Sequence, residues 1–171
     1  MTPLDQIFLD CSIRRLRLSV DRIDKCVSRL TEEQVWMREH ASENAVGNLL
    51  LHLAGNIRQW LIAGVGGKPD IRDRDSEFNA QTGPSKSELV AQLRAIVEEA
   101  CKVIAPLTPE RLTERVLVQK YDVTVLEGIY HVVEHLAQHT GQIIFATKML
   151  TGEETGFYTH LKRPTHKEKT P

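Results

Sequence analysis

Seven histidines occur in the chain, and three of them, His131, His135 and His139, follow one another at four-residue intervals. On a helix advancing about 100° per residue, residues four apart differ by about 40° and one turn, so the rings of His135 and His139 converge on one point. His131 stands about 80° round from His139, and one ion held by all three would need distorted ligation. Imidazoles at this spacing are half of a transition-metal site, and the third ligand must come from another element. His52 is the best candidate: in Leu50-Leu51-His52-Leu53 it interrupts an apolar run, and with Asn48, Asn56 and Gln59 it forms a narrow polar strip. A lone buried histidine is ordinarily a hydrogen-bonded core residue, and a single exposed pair arises by chance. The conjunction of a pair at a core boundary with a buried polar strip is what points to a metal. His131, Asn48, Asn56, Gln59 and Gln142 are then candidates to line a pocket or to orient the ligands' second nitrogens. His40, His160 and His166 fall in an expected loop and tail and read as solvated.

The elements that must carry these residues are helices. Leu9, Ile13, Leu16, Val20, Ile23, Val27 and Leu30 recur at steps of four and three, which predicts a first helix from about Pro3 to Arg29 or Leu30. Thr31-Glu32-Glu33-Gln34 has the pattern of a capping box opening a short turn. A second long helix is expected over about Asn44–Ala63, ending before Gly64, and it is apolar round most of its circumference, so it must lie inside a bundle. A third opens at the Ser85–Glu88 box and runs to about Ile104; a fourth is capped by Thr124 and runs to about Thr151 before Gly152. His135 and His139 lie at the shoulder of its core face, beside the small residues Gly128 and Ala146.

Four amphipathic helices with no convincing strand predict an all-α four-helix bundle. Residues 66–84, polar and alternating in charge, are far longer than the roughly 2–8 residues of a helical hairpin, so they read as a long crossover with the second and third helices pointing the same way. Residues 106–123 suggest one turn near Thr108-Pro109-Glu110 and an extended piece at Val116-Leu117-Val118. The organisation expected is one bundle over 1–158 and a flexible polar tail over 159–171.

The composition narrows the classes of function. With 22 Lys and Arg against 23 Asp and Glu, the formal charge is −1, which gives no electrostatic reason to bind nucleic acid or an anionic membrane. Apolar residues make up 41% of the 171, as in a globular domain. The N-terminus shows no secretory signal, and the most apolar stretch, residues 45–67, carries too many polar side chains to span a membrane. Cys11, Cys26 and Cys101 are odd in number and lack C-x-x-C spacing, so they read as small buried hydrophobes in a reducing cytoplasm.

The segment His131-Val132-Val133-Glu134-His135-Leu136-Ala137-Gln138-His139-Thr140-Gly141-Gln142-Ile143, together with His52 in its apolar run, resembles the DinB-like (damage-inducible, YfiT-type) family, related to the mycothiol-dependent maleylpyruvate isomerase fold. The resemblance covers nearly the whole chain. It implies an up-down-down-up bundle, in agreement with the crossover. It also implies a divalent metal, commonly nickel or zinc, on three histidines matching His52, His135 and His139, and a homodimer. Many members carry a basic residue before the Gly-Gln pair where this chain has Thr140, so a role for that group in binding an anionic substrate does not carry over.

A metal-dependent enzyme acting on a small molecule, a thiol S-transferase or a hydrolase, is the leading expectation, with a low-molecular-weight thiol as possible co-substrate. Glu127 and Glu134 face away from the histidines, and no residue stands out as a general base. The alternatives are a non-catalytic metal-binding, stress-associated bundle and a dimeric interaction protein with ordinary core histidines.

Overall fold

The computed structural model describes residues 3–40 and 42–162. Four long helices dominate: α1 (Leu4–Val27), α3 (Val46–Ile57, continued as a π-helix over Arg58–Val65), α5 (Lys86–Ile104) and α7 (Val125–Thr151). Between them lie three short helices, α2 (Glu32–Trp36), α4 (Arg74–Asn79) and α6 (Pro109–Thr113). A hairpin of β1 (Arg115–Val118) and β2 (Tyr121–Thr124) precedes α7.

Each start follows from local chemistry. The side chains of Thr31, Ser85 and Thr124 each accept the backbone N–H three residues on, while Gln34, Glu88 and Glu127 reach back to the capping residues. Pro3 stands at the N-cap of α1 rather than in its first turn, and Gly152 ends α7 in the left-handed conformation. The stripe Leu9, Leu16, Val20, Ile23 and Val27 is buried as its period requires.

Cross-links between helices fix their directions. Arg17 pairs with Glu98, Arg94 reaches both Asp21 and Asp24, and Lys86 at the start of α5 reaches Leu30 O beyond the end of α1, so α1 and α5 are antiparallel. Arg58 and Lys68, at the far end of the second long helix, both meet Glu99 near the end of α5, so these two helices run the same way. His52 meets His135, and Trp60 meets His131, so α3 and α7 are antiparallel. The bundle is up-down-down-up, as the crossover length implies. No helix among the described residues is long and apolar enough to cross a membrane.

Three features depart from the sequence expectation. The second helix runs two residues past Ala63, as a π-helix through Gly64. Residues 115–124 pair as an antiparallel hairpin, Arg115 opposite Thr124 and Val118 opposite Tyr121, where only an extended piece at 116–118 is expected. Its turn residues Gln119 and Lys120 both have positive φ, the geometry of a tight hairpin turn without the usual glycine or asparagine. Residues 159–162, expected as part of a flexible tail, form a 3₁₀ turn; residues 163–171, including His166, lie outside those described.

The hairpin and Gly64 explain each other, because a Cβ at Gly64 would overlap Val118 Cγ2. Alanine normally stabilises a helix interior over glycine by about 1 kcal/mol. Here Gly64→Ala is expected to destabilise instead, by about 1–3 kcal/mol in urea melts, since the hairpin must shift to admit the methyl group. Val118→Ala in the same chain should recover part of that loss.

Two of the three cysteines are buried as expected; Cys11 is only half-buried. Cys26 and Cys101 are buried and unpaired, and burial pushes the Cys101 thiol up to about 11.

Candidate metal centre

His52 lies in the middle of α3, with 6% of its surface exposed, and His135 and His139 are half-buried on the facing side of α7. The three rings present their Nε2 atoms to one another. His135 Nε2 is 3.1 Å from His52 Nε2 and 3.2 Å from His139 Nε2, and the potential ligand atoms all lie within 4.8 Å of each other. His131, one turn before His135, lies outside the cluster, as the wheel angle predicts: its ring stacks on Trp60 at 4.1 Å and is 5.5 Å from that of His135.

The opposite nitrogens of two of the rings face hydrogen-bond partners. His52 Nδ1 is 3.2 Å from Glu77 Oε2, and His139 Nδ1 is 2.6 Å from Gln142 Oε1. Glu77 Oε2 and Gln142 Oε1 can each accept from an Nδ1–H, and with that tautomer both Nε2 atoms carry lone pairs. Arg72 Nη2, 3.0 Å from His52 Nδ1, is drawn there by its own 2.7 Å bond to Glu77 Oε2. A proton on His135 Nε2 could satisfy one of its two neighbours only. A cation satisfies all three, and the residues present therefore fit a metal ion.

Burial disfavours the charged form of the α7 imidazoles. It holds His135 far below the ordinary imidazole range, at about 3, with the neighbouring histidines and Arg72 adding to the effect. It also lowers His139, against the opposing hydrogen bond to Gln142 Oε1, and it lowers His131. His135 is therefore neutral near neutral pH, the form that ligates.

The support for His52 comes from the crossover. Glu77 and Arg72 form a two-point ion pair, Nε to Oε1 at 2.8 Å and Nη2 to Oε2 at 2.7 Å, with side chains only 8% and 2% exposed. Burial alone would raise the Glu77 carboxyl, but the hydrogen bonds from Arg72 and His52 outweigh it and the net displacement is downward. The pair fits because residue 55 is glycine: a Cβ there would overlap Glu77 Oε1. Phe78 packs its ring 4.7 Å from that of His52. Neither Arg72 nor Glu77 is recognisable in the sequence, where both belong to a run of alternating charges; Gly55, three residues from His52, is the sole hint of a close approach.

The remaining polar candidates divide. Gln142 touches a ligand directly. Gln59 accepts from Arg72 Nη1 at 2.9 Å and from Gln119 at the hairpin tip, and donates to Asp70 at 2.7 Å, so it braces Arg72 rather than a histidine. Asn48 is fully buried and does structural work: its Oδ1 accepts from the Ala45 N–H and Arg38, and its Nδ2 donates to the carbonyls of Glu77 and Ala80, tying the crossover to α3. Asn56 lies one turn beyond His52, with a buried Oδ1 that has no partner among the described residues, as do Trp60 Nε1 and His135 Nδ1. Of the other histidines, His40 is exposed and His160 half-buried, both away from the cluster. Glu127 is engaged in capping α7, and Glu134 is exposed, so neither serves the site.

Gln142→Ala removes the acceptor that fixes His139. It is expected to weaken metal binding about 10–100-fold with little loss of fold, read by competition against a chromogenic chelator.

A family model described as "Protein of unknown function (DUF1572)" matches residues 4–162. Among solved structures, a conserved protein from Enterococcus faecalis is 15% identical, with 90% of this chain and 100% of the other covered and a TM-score of 0.71. A DinB-like protein from Bacillus subtilis is 14% identical, over 86% of this chain and 96% of its own, with a TM-score of 0.65. Mycothiol-dependent maleylpyruvate isomerase, as a histidine-to-alanine mutant, is 12% identical over 79% of this chain and 60% of its own, with a TM-score of 0.63. At these identities the likeness is one of fold. Among curated proteins, none matches the sequence.

Proposed function

Because the chain belongs to the DUF1572 family and has a DinB-like fold, we propose that His52, His135 and His139 hold one divalent transition-metal ion, nickel or zinc, and that the protein is a metal-dependent enzyme. The observation that carries this reading is the facing of three Nε2 atoms while Glu77 and Gln142 engage the Nδ1 atoms of His52 and His139. When bound, an ion on three neutral imidazoles keeps its full charge and supplies Lewis acidity toward an oxygen or sulfur donor.

The chain's own residues do the rest. Glu77, clamped by Arg72, holds His52 in one orientation. His131, half-buried against Trp60 with its ring 5.5 Å from that of His135, is the group we assign to accept a proton from a substrate. Thiol S-transfer is the first reaction to test and hydrolysis the second; the name of the mycothiol-dependent structural relative supports a low-molecular-weight thiol as co-substrate. The substrate is a small molecule, and the working unit is a homodimer, as the family resemblance implies.

The test is turnover by the metal-loaded protein. Cysteine or glutathione with 1-chloro-2,4-dinitrobenzene reads thiol transfer, and 4-nitrophenyl acetate reads hydrolysis. Conversion that depends on metal and falls to background in His139→Ala is expected. Metal bound at one equivalent with no conversion of any substrate would overturn the enzyme reading in favour of a non-catalytic metal-holding bundle.

A further inference from the structure

A cavity of about 540 Å³ opens between the start of α3, the residues before it and the last turns of α7, with Gln142, the partner of His139, in its wall. Its volume is in the range of small-molecule sites. Its apolar wall includes Met37, Leu49, Phe145, Ala146 and Met149, of which Met37, Phe145 and Met149 are 42%, 67% and 70% exposed. Large apolar side chains left in water round one concave mouth mark a surface that binds something, and methionine adapts its shape to a ligand. The polar lining is one-sided in charge: Glu39 and Glu43 contribute carboxylates, Ser42, Asn44 and Gln142 are neutral, and among the described residues no lysine, arginine or histidine takes part. The Glu43 carboxylate is held in place by the backbone N–H groups of Glu39 and His40. Gln142 belongs to both places, lining the cavity and fixing His139 through its Oε1.

We propose that this cavity is the substrate-recognition pocket of the metal centre and that it takes an apolar, aryl- or alkyl-bearing molecule with a cationic amine, while rejecting carboxylates. The apolar body covers Phe145 and Met149, and the ammonium faces Glu39 and Glu43. Seated there, the molecule lies against Gln142, one side chain away from a ligand ring. The inference deepens the proposed function, resting on it for the chemistry and on the cavity alone for the ligand class.

The experiment is titration of the full chain, with its metal content measured beforehand, by isothermal calorimetry with three matched probes: 2-phenylethylamine, 2-phenylethanol and 3-phenylpropanoate. The amine is expected to bind at least tenfold more tightly than the carboxylate, with the alcohol between them and the gap narrowing as salt rises. Glu39→Gln with Glu43→Gln should bring the amine down to the affinity of the alcohol and leave the alcohol unchanged, since the glutamine at 43 still accepts the backbone N–H groups. Ala146→Trp, which fills the cavity, should abolish binding of all three; if that variant does not fold, Phe145→Ala, at an exposed position, should weaken all three together. A carboxylate that binds as well as the amine, or probe binding indifferent to every one of these variants, would overturn the proposal. One equivalent of metal with no amine binding would sink the pocket and leave the metal reading standing; amine binding without metal would do the reverse.

Discussion

Glu77→Ala is expected to lower the free energy of unfolding by about 3–5 kcal/mol, the range for removing one partner of a buried ion pair. The cause is the charge left behind. The Arg72 side chain is 2% exposed and cannot lose its proton, so without Glu77 it would remain as a buried, uncompensated cation beside His52. The same substitution frees His52 Nδ1 to take either tautomer. Urea denaturation of the metal-free protein measures the first effect without interference from the second. Replacing Arg72 and Glu77 together by methionine and leucine should recover most of the loss, because an apolar pair of similar volume carries no desolvation penalty. A loss below about 1 kcal/mol in the single variant would mean that the pair is solvated, as surface pairs are, and that the crossover does not seat on α3 as described.

Saturating nickel or zinc is expected to stabilise the folded chain by about 4 kcal/mol when free metal stands a thousandfold above its dissociation constant. For a chain of this size each kcal/mol corresponds to roughly 2–4 °C, so the thermal midpoint should rise by roughly 8–16 °C. The gain arises because the folded chain brings the three Nε2 atoms together from α3 and α7, whereas the unfolded chain offers only isolated imidazoles. His135→Ala should abolish the shift, since His135 stands between the other two. Magnesium, which prefers oxygen ligands, should give none. An equal shift in wild type and His135→Ala would place the bound metal elsewhere.

How much of this was legible in the sequence depends on the range of the interaction. The helices were, because a 3.6-residue period and a cap within three residues are written in consecutive positions: Thr124 with Glu127 and Ser85 with Glu88 mark starts that the structure bears out. The histidine cluster was too, since the angle between residues four apart is fixed by helix geometry and an isolated histidine in an apolar run must face inward. The hairpin was not: its strands are four residues each, and its turn, Gln119-Lys120, carries none of the residues that normally adopt positive φ. Glu77 was not either. It looks like its charged neighbours, and its burial depends on a crossover folding back onto Gly55, a long-range event with no local signature. Asn48 shows the converse error. A polar residue on a buried strip reads as part of the site, yet the backbone carbonyls of Glu77 and Ala80 needed a donor, and Asn48 supplies it.

The central claim, that three histidines from two helices form one metal site, is tested most directly by elemental analysis of the untagged protein beside His52→Ala, His135→Ala and His139→Ala, each shown to be folded by circular dichroism. About one equivalent of a transition metal in the wild type, after purification or reconstitution with nickel or zinc, and its loss in all three variants, is the predicted result. No metal in the wild type under either condition, or metal retained when any one of the three is removed, would contradict it.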